Sequence, residues 1–549
     1  MKLNRSTFSP LASGADESLD NSEATCDDSH GLECSHEVVF TRSEHIVQDS
    51  GKVIAQGTSS VFKAAFNFIN SIIGAGIIGI PFAFSECGIL GGLLLLIFVA
   101  CLVSRAVQML IECGIKADKL DYEDLAEHLL GKKGYYAALT SMFLFAFGGQ
   151  VAYLVIIGDT IPIIAQVNRE FVITLVSSCM ILPLSLLRDM SHLSYISLAA
   201  IAADVFIIAI VIFAAPAAAR DQSIAPSLQL GTLSLFSSRL FAGVGTLSFA
   251  FVCMHNSFIV YRSLQNPTPE NWKRVANGSV GFCFALAAVF GISGYLAFGD
   301  RVQGDILNNF KQDVSSVTWA RGFLACCMVC VYPMEMMVSR HCLLSIVQQV
   351  FRSTPHEIEC KSLDIQNPVL SATAPPGMEN EMAGVPTTAM SGDGFVRLPT
   401  LSEHSFEYHE AYETTSNQKC NGSGCSCSCC CSTEWKQHVF LTSLLWGTTT
   451  IIAVAFNDLG FVLSLTGAVA ASVLGYILPG LLYIKSYQDE FLTAWQKVWD
   501  WSVNENSHWR MTIIDRLASF HMFWMPLLLV LFGTLAAVLG CITVLMDKE

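Results

Sequence analysis

Small and polar residues interrupt the first apolar stretch of the chain at a depth where a membrane helix is normally continuous. Residues 66–81 read Phe-Asn-Phe-Ile-Asn-Ser-Ile-Ile-Gly-Ala-Gly-Ile-Ile-Gly-Ile-Pro. In hydrocarbon, backbone groups freed by such a break must face protein or a water-filled cavity. Half-helix ends at that depth can hold a carboxylate, an ammonium group or a cation. The stretch therefore predicts a transporter site, with close helix packing through Gly74 and Gly76 as the alternative.

A second interruption occurs five apolar spans later, within residues 249–261. The residues expected at mid-depth there are Cys253, Met254, His255, Asn256 and Ser257. Interrupted helices five spans apart are typical of two five-span repeats of opposite topology. This second break favours a binding site over close packing as the explanation of the first.

Composition limits the class of protein that can carry these breaks. The chain is 52% hydrophobic and 14% charged, with a mean hydropathy of +0.49, which indicates an all-α polytopic membrane protein rather than a globular enzyme. Runs long enough to cross a bilayer occur about eleven times. We place them near residues 61–85, 88–113, 135–165, 170–187, 193–217, 239–262, 275–298, 316–349, 437–457, 459–484 and 519–546.

The distribution of charge predicts the orientation of the chain. With the N-terminus inside, the short inner loops hold twelve Lys and Arg residues and the outer segments hold seven, which favours a cytosolic N-terminus and a C-terminus outside. Acidic, polar composition predicts disorder in a tail and a cytosolic loop. The predicted regions are the tail 1–57, spans 1 to 8 in 58–350, the loop 351–436 and spans 9 to 11 in 437–549.

Five motifs together resemble a known family of transporters. They lie at residues 67–81, 158–160, 182–186, 248–257 and 332–335, the last reading Tyr-Pro-Met-Glu. They resemble the amino acid/auxin permease family and, within it, the orphan-like branch of the sodium-coupled neutral amino acid transporters. The resemblance implies about eleven transmembrane helices in a five-plus-five inverted repeat (LeuT-like), with helices 1 and 6 broken and alternating access.

The resemblance also implies a set of binding residues. Its substrate site falls on Ser71, Ile73, Gly74, Ala75, Gly76, Val252, Cys253, Met254, His255 and Asn256. Its cation site falls on Asn70, Ile73, Cys327 and Met328. Neither break contains a charged residue, which favours a neutral, zwitterionic amino acid as substrate.

The cation site departs from the family pattern in span 8. Members that bind sodium well have a hydroxyl residue where this chain has Cys326, Cys327 and Met328, and sulfur is a poor ligand for a hard cation. Asp204 in span 5 could supply the oxygen or carry a proton; the alternative is a pair with a hydroxyl or a cavity water. The coupling ion therefore stays open between sodium and a proton.

Two further intramembrane residues have competing interpretations. His255 could hydrogen-bond an amide-bearing substrate, confer pH sensitivity, or be a packing histidine whose hydrogen bonds are satisfied. Glu335 is expected to form a structural ion pair with Arg340 near the inner end of span 8.

A cluster of cysteines precedes span 9 on the predicted cytosolic side. Its members are Cys420, Cys425, Cys427, Cys429, Cys430 and Cys431. The cluster lacks the paired arms of a zinc module, and juxtamembrane cysteines are common sites of palmitoylation. Metal or redox chemistry and the absence of any role are the alternatives.

The sequence thus predicts a secondary transporter of neutral amino acids, coupled to sodium or protons. The alternative is a membrane amino acid sensor with little flux. No enzyme site, cofactor or nucleic-acid partner is expected; the expected partners are the amino acid, membrane lipid and cytosolic regulators of the N-terminal tail. We expect the plasma membrane as the location, with a lysosomal or vacuolar membrane as the alternative.

Overall fold

Helices make up all the regular structure that a computed structural model of the protein describes, which is the predicted all-α class. The described residues are 57, 59–187, 194–221, 239–312, 314–352, 428–503 and 520–546. Within these ranges nine helices are long and apolar enough to cross a membrane, and a bent helix pair at the start of the chain makes a tenth. Almost all of the predicted tail and loop lies outside the described residues.

Each predicted span corresponds to a helix or to a series of helical segments. Span 1 comprises Val61–Ile72, Ala75–Ile78 and Ile80–Cys87, span 2 is Ile89–Ala117 and span 3 is Tyr122–Ala165. Span 4 comprises Arg169–Val176, Ser177–Ile181 and Leu182–Leu186, and span 5 is Ser194–Asp221. Spans 6 to 8 are Leu240–Phe251 with Met254–Arg262, Pro269–Phe298, and Ser315–Arg352. Spans 9 to 11 are Ser428–Ala455, Leu459–Thr466 continued through Gly467–Ala471 and Val473–Ile477 to Leu478–Ser486, and Phe520–Trp524 with Met525–Met546. The apolar part of span 5, Ala202–Ala218, is shorter than the other spans.

Large apolar side chains cover the outside of the helical bundle. Phe213 is 83% exposed, Ile451 70% and Met546 69%. Exposure on this scale would be unfavourable in water, because each such side chain contributes about 1.5–3 kcal/mol when it leaves water. These side chains are suited to a lipid surround, which agrees with the predicted membrane protein.

Two helical segments extend beyond the predicted spans. The helix of span 3 begins at Tyr122, well before the predicted start near residue 135, and turns sharply at Gly131. Gly131 has a φ of 69°, a conformation that residues with a Cβ rarely adopt. A further helix, Gln488–Val503, follows span 10. Both segments carry many charges, so hydropathy alone did not mark them.

Span 1 and span 6 are both broken, as predicted. In span 1, Ile73 and Gly74 are extended, with ψ of 109° and −156°, and the two halves of the span are bent by 63°. In span 6, Val252 is extended with ψ of 120°, and Cys253 lies outside the helical region with φ of −140°. Each break therefore ends one helix and begins another within the same membrane crossing.

The two broken spans pack against each other in opposite directions. Val61–Ile72 contacts Met254–Arg262, while Ile80–Cys87 contacts Leu240–Phe251. At the ends of the pair, Ser59 N–H donates to the Ser263 carbonyl at 2.8 Å. This antiparallel pairing places the breaks side by side and fits two five-span halves of opposite orientation.

Close backbone approaches fix spans 6 and 10 together. Gly467 in span 10 lies against the carbonyl oxygen of Gly245 in span 6, and a Cβ added at Gly467 would overlap that oxygen. The neighbouring Thr246 and Ser464 hydroxyls are joined by a hydrogen bond of 2.8 Å. Small residues of this kind let membrane helices approach closely, which substitutes for the hydrophobic effect that lipid removes.

This contact predicts different outcomes for one substitution at two glycines. Gly467→Ala should lower the free energy of unfolding by about 1–3 kcal/mol, because the added methyl group forces spans 6 and 10 apart. Gly447→Ala is the matched control in span 9, where a Cβ meets nothing within 4 Å, and it should leave stability unchanged or raise it by about 0.5–1 kcal/mol. Thermal unfolding in detergent, monitored by size-exclusion chromatography, gives the melting temperatures of the two variants. Equal melting temperatures would contradict the packing argument.

Candidate functional site at the two helix breaks

A cavity of about 150 Å³ lies beside the two breaks. Spans 1, 3, 5, 6 and 8 all contribute side chains to it. Gly74 opens the cavity on the span 1 side, because a Cβ placed there would meet nothing within 4 Å. The first amides of the helix half that follows a break have no carbonyl one turn earlier, so a break next to a cavity offers them to a ligand.

The structure brings most of the sequence-predicted binding residues to this one cavity. Those that line it are Asn70, Ser71, Ile73, Gly74, Gly76, Asp204, Val252, His255, Asn256, Cys327 and Met328. Cys253 and Met254 are fully buried and do not line it. Ala75 opens the short helix after the first break.

The two glycines of the first break have different environments. Gly76 lies against span 6, and a Cβ added there would come within 2.6 Å of the Ala250 Cα. Gly74 has open space where its side chain would be. The close-packing interpretation therefore applies to Gly76, and the open cavity lies at Gly74.

Aromatic rings form one wall of the cavity around His255. The Phe145 ring in span 3 lies 5.6 Å from the His255 ring and 5.1 Å from the Phe249 ring, centroid to centroid. His255 Nδ1 is buried and has no hydrogen-bond partner among the described residues. That atom does not fit the interpretation of a packing histidine with satisfied hydrogen bonds, because a residue that lines the cavity carries an unsatisfied ring nitrogen.

Two carboxylates line the cavity, from Asp204 in span 5 and Glu335 in span 8. Asp204 Oδ1 and Glu335 Oε2 are buried without a hydrogen-bond partner in the described part of the chain. No Lys or Arg is among the residues that line the cavity. The cavity is therefore acidic, although the two helix breaks themselves carry no charge.

Glu335 does not form the ion pair with Arg340 that the sequence suggested. Arg340 Nη1 donates instead to Thr442 Oγ1 at 2.9 Å and to the Ser185 carbonyl at 3.5 Å, in spans 9 and 4. The expectation was wrong because five residues turn a helix by about 140° beyond one full turn. Glu335 and Arg340 therefore lie on different faces of span 8.

Span 3 contributes residues that sequence reasoning missed, namely Phe145, Gly149 and Tyr153. The adjacent pair Gly148 and Gly149 within an apolar span was a usable signal, since glycine in membrane helices often marks close approach. Gly148 lies against Thr466 of span 10, whereas a Cβ at Gly149 would face Glu335 and Phe249 near 4 Å. One glycine packs helices, and the other leaves space at the cavity.

The cysteine cluster is only partly within the described residues. Cys420, Cys425 and Cys427 lie outside them, and Cys429, Cys430 and Cys431 lie in the first turn of Ser428–Ala455. Palmitoylation of these cysteines stays a prediction.

Comparison with known proteins gives relatives named as amino acid transporters. A Danio rerio protein provisionally named sodium-coupled neutral amino acid transporter 11 is 35% identical over 305 residues, which cover 53% of this chain and 66% of that protein. Vacuolar amino acid transporter 2 of Saccharomyces cerevisiae is 27% identical over 454 residues, covering 80% of this chain and 78% of its own. Among solved structures, MhsT in complex with L-phenylalanine matches 88% of this chain and 99% of its own, at 11% identity and a TM-score of 0.49.

A family model agrees with these relatives over most of the chain. The model described as transmembrane amino acid transporter protein matches residues 57–520, which include both broken spans and all the residues that line the cavity. The resemblance inferred from the five sequence motifs is thereby confirmed. The chain belongs to the transmembrane amino acid transporter family.

Proposed function

We propose that this protein moves neutral amino acids across a membrane by alternating access, coupled to a gradient of sodium or protons. The observation that carries the proposal is the cavity beside the two neighbouring helix breaks, at which Gly74 leaves open space where a side chain would be. Family membership and the name of the Danio rerio relative, a sodium-coupled neutral amino acid transporter, support the same substrate class.

The polar groups of an amino acid match what the breaks offer. The α-carboxylate accepts from the amides at Gly74, Ala75 and Gly76, where the second half of span 1 begins. The α-amino group donates to free carbonyls at the end of Leu240–Phe251 in span 6. Because the described residues that line the cavity include two carboxylates and no Lys or Arg, we expect amino acids with acidic side chains to be excluded.

The coupling ion binds between spans 1, 5 and 8. Asn70, Cys327, Met328 and Asp204 line the same cavity, and a hard cation selects oxygen over the two sulfur atoms. Asp204 is 4% exposed and its Oδ1 lacks a hydrogen-bond partner in the described ranges. Asp204 is therefore the oxygen ligand for sodium or the carrier of the proton.

We propose the plasma membrane as the location, with a vacuolar or lysosomal membrane as the competing assignment because one relative is named as vacuolar. Fluorescently tagged protein, imaged beside markers of the two membranes, decides between them. A vacuolar result would leave the substrate and mechanism unchanged.

Reconstituted vesicles test transport directly. Radiolabelled neutral amino acids should accumulate against their gradient when an inward sodium or proton gradient is imposed, and should only equilibrate when neither is present. Binding measured by calorimetry without uptake would identify a sensor instead of a transporter. Neither binding nor uptake of any amino acid would refute the proposal.

The Asp204→Asn variant should separate coupling from substrate binding. Gradient-driven accumulation of the amino acid should fall about tenfold or more, because the variant loses the negative charge that binds the coupling ion. Exchange of labelled for unlabelled substrate across the vesicle membrane should continue without a gradient. Asp489→Asn, at an exposed aspartate outside the cavity, is the matched control and should behave as wild type; unchanged coupling in Asp204→Asn would remove Asp204 from the mechanism.

The Gly74→Ala variant tests the carboxylate site. A methyl group at Gly74 projects into space that is open now, so the protein should fold with wild-type thermal stability. Substrate affinity should fall about tenfold or more, since one obstructed contact to the carboxylate is worth about 1.5–3 kcal/mol. Gly281→Ala, at an exposed glycine of span 7 with nothing within 4 Å, should change neither quantity; unaltered binding in Gly74→Ala would place the carboxylate elsewhere.

A further inference from the structure

Glu335 is a carboxylate that the proposed mechanism leaves without a role. It lines the cavity from span 8, and its Oε2 is buried without a hydrogen-bond partner in the ranges described. Its backbone carbonyl accepts a hydrogen bond of 3.2 Å from Gln150 Nε2, which ties this turn of span 8 to span 3. This turn of span 8 is thus held in place, while the carboxylate atom Oε2 has no hydrogen-bond partner among the described residues.

A glycine in span 3 leaves open space next to the Glu335 side chain. A Cβ at Gly149 in span 3 would lie 3.9 Å from Glu335 Cγ and 4.0 Å from Phe249 Cζ. Any larger residue at position 149 would fill the gap between Glu335 and the aromatic wall. This part of the cavity is lined by side chains, from Glu335 of span 8 and Phe249 of span 6, next to Gly149 of span 3. The backbone breaks suit the α-carboxylate and the α-amino group, so we expect these side chains to face the side chain of a bound amino acid.

Among the described residues, the titratable groups that line the cavity with Glu335 include no Lys or Arg. Span 3 contributes Tyr153, span 5 Asp204 and span 6 His255, and all three line the same cavity. Within span 8, Cys327 lines the cavity and Cys342 lies near Glu335. Arg340 is engaged by spans 4 and 9 instead. The cavity residues therefore do not supply a permanent positive charge to neutralise Glu335.

Glu335 is half-buried, and its buried Oε2 has no hydrogen-bond partner among the described residues. An ionised carboxylate in such a site is stabilised when a positive charge enters the cavity beside it. We propose that Glu335 holds one positive charge that arrives with the substrate: a proton when the substrate side chain is neutral, and the side-chain ammonium or guanidinium of a basic amino acid in its place. The inference rests on the proposed function and extends its substrate class to basic amino acids.

The proposal sets the charge balance of each transport cycle. A neutral amino acid enters with one proton taken from the outer solution onto Glu335, and that proton leaves to the inner solution with the substrate. A basic amino acid enters with its own charge and no proton at Glu335. The ion at Asp204 is the same in both cycles, so both carry the same total charge per amino acid.

Lysine and norleucine are the matched probes, because their side chains have the same length and differ by the terminal ammonium group. In reconstituted vesicles, wild-type protein should take up both with equal charge per amino acid, measured from the current and the labelled substrate. A pH-sensitive dye inside the vesicles should report more proton entry per molecule during norleucine uptake than during lysine uptake, because only norleucine enters with a proton on Glu335. Norleucine uptake should decline as the outer pH rises, and lysine uptake should change less.

The Glu335→Gln variant carries no charge at this position. Lysine uptake should fall about 10- to 100-fold, since a hydrogen-bonded charge contributes about 1.5–3 kcal/mol. Norleucine uptake should lose one charge and one proton per molecule. Glu335→Asp should restore part of the lysine uptake, and Glu270→Gln, the same change at an exposed glutamate outside the cavity, should match wild type.

The outcomes separate this inference from the proposed function. The inference would be overturned if the wild type takes up norleucine but neither takes up lysine nor shows competition by lysine, and neutral amino acid transport would then remain intact. This comparison uses the wild-type protein, so it does not depend on whether a variant folds. Equal loss of both substrates in Glu335→Gln and Glu335→Asp, with unchanged charge per molecule, would also overturn it, since it indicates a structural role. Failure of every amino acid to bind or cross would refute the proposed function itself.

Discussion

The backbone of a membrane helix has no water to satisfy it, and this constraint governs the arrangement of the protein. A break in one span frees amides and carbonyls that cost several kcal/mol each if they meet lipid. Here two spans break at Ile73–Gly74 and at Val252–Cys253, and they lie antiparallel so that the breaks are neighbours. Spans 3, 5 and 8 also contribute side chains to the cavity beside the breaks. The freed backbone groups therefore lie beside a cavity enclosed by protein, as membrane helices require of a break.

Glycine has two separate uses around that cavity. Gly76 and Gly467 bring backbones together, at Ala250 and at Gly245, so that the broken spans are held by neighbours that cannot move apart without loss of contact. Gly74 and Gly149 instead leave volume, one beside the first break and one in front of Glu335. Packing glycines make the frame rigid, and open glycines set the shape of the space inside it. A methyl group has opposite consequences in the two classes.

Sequence alone was enough for the parts of the fold that follow from local chemistry. Hydropathy located the spans, and polar residues within apolar runs located both breaks, because such residues are costly in hydrocarbon. The face that each helix presents was harder to predict. Glu335 was assigned to Arg340 by proximity in sequence. The Gly148 and Gly149 pair marked a close approach, but the sequence did not show that Gly149 lies opposite Glu335, because that depends on how spans 3 and 8 meet. Tertiary contacts between distant spans, such as these, leave little trace in one sequence.

Charge within the cavity links the architecture to selectivity. The breaks are uncharged and suit the two ends of any amino acid, so they cannot by themselves distinguish one side chain from another. Asp204 and Glu335 lie on different spans, 5 and 8, and both lack a Lys or Arg among the residues lining the cavity. Two carboxylates in one cavity favour neutral forms or bound cations, which is the physical basis of the roles proposed for Asp204 and Glu335. In the proposed mechanism, the coupling ion and the charge that enters with the substrate both neutralise carboxylates of the same cavity, which is a physical reason for ion and substrate to move together.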